Sequence, residues 1–384
     1  VPFWSRRPPE EPPSWEELFP LEASLRSQLD DVLVVQDRRL VGRSVAFGGQ
    51  LLVPPATALE RLQPRLSPHG YTPFIREDQG IVWVHAIAQA DVAAAPRPLL
   101  HLALFLATVV TTLVAGAMEQ GVELAELVSD PGRIAAGIPF SATLIAILGV
   151  HEFGHYGVGR FHGMPVSLPF FIPVPPVPPF ILGTLGAVIR LGGAVRDRRA
   201  LFDMAVAGPL AGLLVAVPAY VLGVARSRVL SAAELADRGG GEFFLGPSFL
   251  SVFLHRLVLG STLEGGAAIE LHPVSVAAWF GFFVTALNLI PAGQLDGGHI
   301  VYAMFGQRHA LISKAAVGGL VLIGFAFGSI NWLVWAALII GLMGFRHSPT
   351  MDDITPLDGR RQMLGVVALV LLCLLLPPVP IFPR

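Results

Sequence analysis

Ile134 to Val150 reads IAAGIPFSATLIAILGV, and His151-Glu152-Phe153-Gly154-His155 follows it without a break. The run carries no charged side chain. As a helix it is apolar enough to enter a bilayer, whose core takes about 20 residues to cross. Two imidazoles at i and i+4 share one helical face, so they can grip one metal ion from the same side. A glutamate between them can take a proton from a water that the metal acidifies. Each ionisable group beside an apolar span opposes insertion by roughly 2.5–3.5 kcal/mol or more. The pattern therefore points to hydrolysis inside a bilayer or at its edge.

Composition points the same way. Of 384 residues, 53% are hydrophobic and 14% charged, with mean hydropathy +0.64. A water-soluble globular chain carries about 25% charged residues, so most of this one is expected to face lipid or a core buried in lipid. A net charge of −2 gives no reason to expect a nucleic-acid partner. The single cysteine, Cys373, lies in the apolar run VVALVLLCLLL. It excludes an internal disulfide and a cysteine-ligated metal. The opening VPFWSRRPPEEPPSW has basic residues and no apolar stretch after them. The N-terminus is therefore expected to stay on the side of synthesis.

The expected fold class is a polytopic α-helical membrane protein of about seven spans with a re-entrant β segment, plus a small N-terminal α+β soluble domain. Residues 1–19 read as a Pro-rich tail. Residues 20–95 alternate as a small domain, with strands at Val32–Val35 and Ser44–Val53 and a helix at Ala56–Leu66 carrying Leu59, Leu62 and Leu66 on one face. A second strand pair, Tyr71–Arg76 and Gly80–Ile87, turns at Asp78-Gln79-Gly80.

Residues 98–384 form the membrane part, with its core at 98–310. Spans are expected at about 99–117, 134–158, 201–223, 274–304, 311–328, 330–346 and 363–379. The fourth is too long and too broken by Pro291, Gly293, Gly297 and Gly298 for one helix. The segment 245–260 contains His255 and Arg256 and reads as an interfacial helix. In this layout Arg160, Arg190, Arg196, Arg198 and Arg199 share a side with the N-terminus, while the first opposite loop carries Glu119, Glu123, Glu126 and Asp130. That bias predicts a cytoplasmic N-terminus and a metal motif toward the cytoplasmic face. The prevalence of arginine among the basic residues suggests a bacterial cytoplasmic membrane.

Zinc needs a third protein ligand and one open position. His162 is seven residues beyond the motif, in a turn, and reads as interfacial. The better candidate lies in Asn288-Leu289-Ile290-Pro291-Ala292-Gly293-Gln294-Leu295-Asp296-Gly297-Gly298-His299, which interrupts an apolar span. An Asp–Gly pair breaks the helix and lets the Asp296 carboxylate turn toward a metal. Taken alone, Asp296 reads equally as a charge at a helix end.

HEFGH and NLIPAGQLDG together resemble the two defining motifs, HExxH and NxxPxxxLDG, of the site-2 protease family of intramembrane zinc metallopeptidases, and every fixed position is matched. Ala205-Val206-Ala207-Gly208-Pro209 resembles the AxAGP segment of that family. The α+β unit followed by Pro178–Leu191 is similar to a branch with chloroplast and bacterial members. The resemblance implies one zinc ion per chain, held by His151, His155 and Asp296, with Glu152 as the catalytic glutamate. It implies single-span membrane proteins as substrates and the lipid bilayer as surroundings. Asn288 either donates a hydrogen bond to the oxyanion, a role the family favours, or serves as a helix-breaking cap or an interhelical hydrogen bond.

FIPVPPVPPF cannot be a helix interior, because each proline removes a donor and fixes φ. The following Gly183, Thr184, Leu185, Gly186 and Ala187 have β character. They either offer a strand edge to an unwound substrate or form a strand that only packs. Ala205–Pro209 reads as a seam of small residues between helices, and His299 as a supporting or packing group. The competing function is a divalent-metal transporter or a metal-dependent membrane scaffold using the same ligands. Glu152 separates the two, since only hydrolysis needs it.

Overall fold

The structure is a computed structural model that describes residues 15–41, 44–88, 97–177, 181–230, 243–260 and 268–383. Most of the expected tail, and Pro178–Phe180 of the Pro-rich segment, lie outside the described residues. The chain divides into two compact units.

The first unit is built on helix α1 (Trp15–Ser27), strands β1 (Leu33–Val41) and β2 (Ser44–Leu51), helix α2 (Pro55–Leu66), and strands β3 (Tyr71–Asp78) and β4 (Ile81–Ala88). Helix α1 starts inside the stretch whose prolines had suggested an extended tail. It tolerates Pro20 and buries Leu25 completely in the core. The strands pair antiparallel in the order β1-β2-β4-β3. β3 and β4 meet at Gln79 and Gly80, with φ of 52° and 81°, the paired left-handed conformation of a tight hairpin. Ala58, Leu59, Leu62 and Leu66 of α2 are buried against the sheet beside Phe47, Ile75 and Val84. That i, i+3/i+4 spacing is what a helix needs to cover a sheet with one stripe.

Two segments from far along the chain complete this unit, Gly193–Arg198 and Ser348–Pro356. The Ile75 amide donates to the Met351 carbonyl at 2.7 Å, and the Asp353 amide returns to the Ile75 carbonyl at 3.0 Å. The amides of Met351 and Asp352 donate to the carbonyls of Val195 and Arg196 at 2.9 and 2.8 Å. The free edge of β3 is thereby continued by backbone pairing through both segments. Asp353, buried, closes the arrangement with Arg198 at 3.1 Å and Arg76 at 3.5 Å.

The second unit holds the apolar helices α3 (Pro98–Glu119), α5 (Ile138–Phe161), α6 (Arg198–Val224), α8 (Pro273–Leu289), α9 (Asp296–Phe305), α10 (His309–Ala326), α11 (Ile330–Leu338) and α12 (Gly359–Leu375). Helix α4 (Leu124–Ser129) comes between α3 and α5 in the chain, and helix α7 (Phe249–Leu259) between α6 and α8. Four stretches are long and apolar enough to cross a membrane: Pro98–Glu119, Pro131–Phe161, Arg198–Val224 and Asp296–Ala326. By length and composition the described residues thus give four such stretches against the seven expected. The expected span 274–304 resolves into α8 and α9 with a break between, and 330–346 is shortened by a π turn at Ile339–Met343. The segment expected at the interface is α7, 11 residues long. Three short antiparallel pairs complete the unit: β5 (Phe170–Pro173) with β6 (Thr184–Val188), β7 (Arg228–Leu230) with β9 (Ala268–Glu270), and β8 (Phe243–Leu245) with β10 (Ile381–Pro383).

Candidate metal centre

Helix α5 presents His151, Glu152 and His155, all buried. The two imidazole rings lie 4.8 Å apart at 73° to each other. His155 Nδ1 is 2.7 Å from the Met204 carbonyl of α6. A carbonyl can only accept, so Nδ1 carries the proton and Nε2 keeps a lone pair for a metal. His151 Nε2 lies 3.1 Å from His155 Nε2, so both nitrogens converge on one point.

Small residues let α5 and α6 come this close. A Cβ at Gly154 would lie 2.8 Å from the Ala207 carbonyl oxygen, and a Cβ at Gly208 would overlap the His155 ring at Nε2. Ala205–Pro209 is thus a seam of close approach, and Gly208 sits where it faces His155 Nε2.

Asp296 arrives from a different part of the chain. Helix α8 ends at Leu289, because Ile290 precedes a proline and is extended at ψ 125°. Gly293 turns the chain with φ 56°, and α9 starts at Asp296. Asp296 Oδ2 is then 3.4 Å from His151 Nε2 and 3.3 Å from His155 Nε2. With the 3.1 Å between the nitrogens this closes a nearly equilateral triangle. A tetrahedral ion with bonds of about 2.0–2.1 Å has ligand–ligand edges of roughly 3.3 Å, so the three atoms match one face of such a site. Among the described residues this is the one group of three or more His, Cys, Asp or Glu side chains that could hold a metal ion. Asp296 Oδ2 and Glu152 Oε2 are both buried without a hydrogen-bond partner. Bare carboxylate oxygens are costly to bury unless a cation answers them. The donor set, two imidazoles and a carboxylate, fits zinc.

Asn288 Nδ2 lies 3.3 Å from His151 Nε2, which brings Asn288 to the rim of the triangle. The Ile189 backbone, one residue past β6, lies beside the Glu152 carboxylate. The five residues predicted to meet substrate divide. Gly183, with φ 75°, packs against the Thr111 carbonyl of α3. The Thr184 hydroxyl is buried and donates to the Ile172 carbonyl at 2.9 Å while accepting from the Gly186 amide at 3.0 Å. Leu185 is 59% exposed, and Ala187 pairs with Phe171 across the hairpin. His299 turns to His347, with Nδ1 2.6 Å from its Nε2, and joins no metal group. His162 meets Asp203 at 3.0 Å, and Asp203 in turn receives two hydrogen bonds from Arg361, each 2.7 Å.

A profile of peptidase family M50 matches residues 139–330, half of the chain, and the matched stretch contains His151, Glu152, His155, Asn288 and Asp296. The chain belongs to peptidase family M50. It is 31% identical over 244 residues to the probable zinc metalloprotease EGY2, chloroplastic, of Arabidopsis thaliana, covering 64% of this chain and 42% of that protein. It is 33% identical over 248 residues to the protein of the same name from Oryza sativa subsp. indica (64% and 43%). To the probable zinc metalloprotease EGY1, chloroplastic, of Arabidopsis thaliana it is 30% identical over 247 residues (64% and 44%). This M50 chain spans less than half the length of these relatives. No solved structure matches it. Family and apolar helices together make it an integral membrane protein. The relatives are named as chloroplast proteins and lend nothing to a bacterial location.

Three contributors left no motif in the sequence: the Met204 carbonyl, the Ile189 amide and Gly208 as the point of contact with His155. Gly208 lies in the small-residue run AVAGP, which does not single out that contact. Backbone groups leave no signal.

Proposed function

We propose that this chain is an intramembrane zinc endopeptidase that hydrolyses peptide bonds within or near the membrane-spanning segments of other proteins. The observation that carries the reading is the closed triangle of His151, His155 and Asp296 with Glu152 buried beside it. The relatives' names, zinc metalloproteases, agree with it. A transporter would need the three ligands and would have no use for a carboxylate that stands outside the ligand group.

Zinc, when bound, supplies a Lewis acid that brings the pKa of a water to about 7. Glu152, with one carboxylate oxygen unpaired, accepts the proton of the attacking water and delivers it to the leaving amine. Asn288 donates a hydrogen bond to the scissile carbonyl oxygen as charge gathers there. The Ile189 backbone amide, beside the Glu152 carboxylate, is near enough to steady it.

A membrane-spanning substrate hides its carbonyls in helical hydrogen bonds and must open into extended chain before attack. Among the described residues β6 pairs only with β5, and its sequence neighbour Ile189 reaches Glu152. A substrate strand added to the remaining edge of β6 would run past the catalytic carboxylate. Leu185, exposed, contacts that substrate, whereas Gly183, Thr184, Gly186 and Ala187 hold the hairpin in shape.

Single-span proteins are the substrates that such an edge admits one at a time. Helices α8 and α12, 17 residues each, lie at the lower limit for crossing and bring the chain toward about seven passages. The arginine bias supports an N-terminal α+β unit on the cytoplasmic side of the membrane, or on its equivalent in an organelle.

The test uses the purified full chain in detergent with a panel of single-span substrates, wild type beside Glu152→Gln, and zinc quantified in both. Cleavage confined to the wild type with equal zinc in the two supports the peptidase. Cleavage that persists in the variant overturns it.

A further inference from the structure

Helix α7 (Phe249–Leu259, FLSVFLHRLVL) has no part in the metal centre. It opens with a reciprocal cap in which the Ser248 and Ser251 side chains and amides bond each other. One face is fixed to the unit: Ser251 and Leu254 are buried, and the Tyr220 hydroxyl and His255 Nε2 lie 2.9 Å apart. Trp279 Nε1 donates to the Gly246 carbonyl just before the helix at 2.9 Å. The opposite face carries Phe249, Phe253 and Leu257, exposed by 70%, 62% and 68%. Their i, i+4, i+8 spacing makes them a continuous apolar stripe.

Eleven residues at about 1.5 Å each span roughly half of a hydrocarbon core, so α7 cannot cross a bilayer. A helix of that length with one apolar face lies in the interface. A cavity of about 380 Å³ opens against the stripe, lined by Pro247, Ser248, Phe249, Val252, Phe253, Arg256 and Pro378. Its walls are apolar except at Ser248 and Arg256, and among the described residues no carboxylate pairs with that guanidinium.

We propose that this cavity binds an anionic glycerophospholipid, with an acyl chain against Phe249 and Phe253 and the headgroup phosphate on Arg256. The charge selects the occupant. An arginine fork matches two phosphate oxygens, and a cation at the mouth of an apolar cleft is complementary to a ligand that is apolar for most of its length and anionic at one end. A zwitterionic lipid carries its own ammonium group and gains less.

The experiment is native mass spectrometry of the full chain titrated with phosphatidylglycerol or with phosphatidylcholine, in wild type, Arg256→Gln, Arg256→Lys and a control at another exposed arginine, Arg160→Gln. Wild type is expected to prefer phosphatidylglycerol at least about fivefold. Arg256→Gln should lose about fivefold in affinity for it, the scale of one basic side chain near an anionic surface. Arg256→Lys should fall between, and Arg160→Gln should match wild type. Equal binding of the two lipids by wild type overturns the proposal, even if the Arg256 variants do not fold. So does an Arg256→Gln protein that keeps its phosphatidylglycerol, or inorganic phosphate that displaces the lipid at the lipid's own concentration, which would mark a site for a free ion. None of these readouts involves proteolysis, so the peptidase reading stands or falls separately.

Discussion

Gly208 on α6 lies so close to His155 that any β-carbon at position 208 would overlap the imidazole at Nε2, the atom turned toward Asp296. The glycine is not there for flexibility. It makes room for a side chain of the neighbouring helix, and the AVAGP run is the means by which two helices approach closely around the His151 and His155 pair.

Replacing Gly208 by alanine should therefore displace His155 and remove the metal, although alanine is the better helix former. Zinc content of the purified Gly208→Ala protein is expected to fall at least about tenfold, in line with losses on disturbing the groups that orient a ligand. Gly157→Ala on α5, where an added Cβ meets nothing within 4 Å, is the matched control and should keep its zinc. A Gly208→Ala protein with full zinc would show that the ring can move without consequence.

Glu152 and Asp296 are both buried carboxylates with a bare oxygen, yet they should respond differently to loss of charge. Glu152→Gln is expected to keep zinc and lose turnover by about 10²–10⁴, the scale of a general base. Asp296→Asn should lose both, because the third corner of the triangle is the ligand that brings the charge. Metal analysis beside single-turnover cleavage separates the two. If the pattern is reversed, the roles are exchanged.

Much of this was written in local sequence. The His151 and His155 pair follows from helical periodicity, and Asp296 stood out because an Asp–Gly step has no reason to interrupt an apolar run. Leu59, Leu62 and Leu66 gave α2, and Gln79-Gly80 gave its hairpin. The features that stayed hidden depend on the backbone or on distant partners. Residues 193–198 and 348–356 join the N-terminal sheet through main-chain hydrogen bonds, which carry no side-chain pattern. The Ile189 amide and Met204 carbonyl are silent for the same reason. Four of the expected crossings coincide with stretches long enough to span, and turns divide the other apolar runs into helices of 17 residues or fewer, a division that hydropathy alone does not show.

Asp353 should prove a structural keystone of the N-terminal unit. It is buried and answers Arg198, Arg76 and the Thr350 hydroxyl at 3.1, 3.5 and 3.2 Å. Asp353→Ala leaves Arg198, only 14% exposed, facing a missing charge. Breaking a buried pair from one side costs about 3–5 kcal/mol, and the partial exposure of Arg76 places the expected loss at the lower end. Limited proteolysis of the full chain should then open first at residues 193–198 and 348–356. Unchanged resistance there would mean that the backbone pairing alone holds both segments.

The N-terminal unit should also loosen in acid, in two steps. Burial lowers the His85 pKa, helped by the nearby Arg76 and Arg39. The unfolded chain therefore takes up a proton at His85 before the folded one does, and stability declines as pH falls below about 6.5. The hydrogen bond from Arg65 holds the Asp31 carboxyl down at about 2, with a smaller contribution from the charge of Arg61. That group stabilises the fold above its unfolded pKa of about 3.9, and the benefit is lost as pH drops from there toward 2. Because Asp31 and its arginines are open to solvent, the second step should be small and weaken with salt. Hydrogen exchange in the full chain, corrected for intrinsic rates, should show protection of Ile81–Ala88 falling between pH 7 and 5. His85→Thr should abolish that first decline and Asp31→Asn should leave it intact. A wild-type profile flat from pH 7 to 5 would remove His85 as its cause.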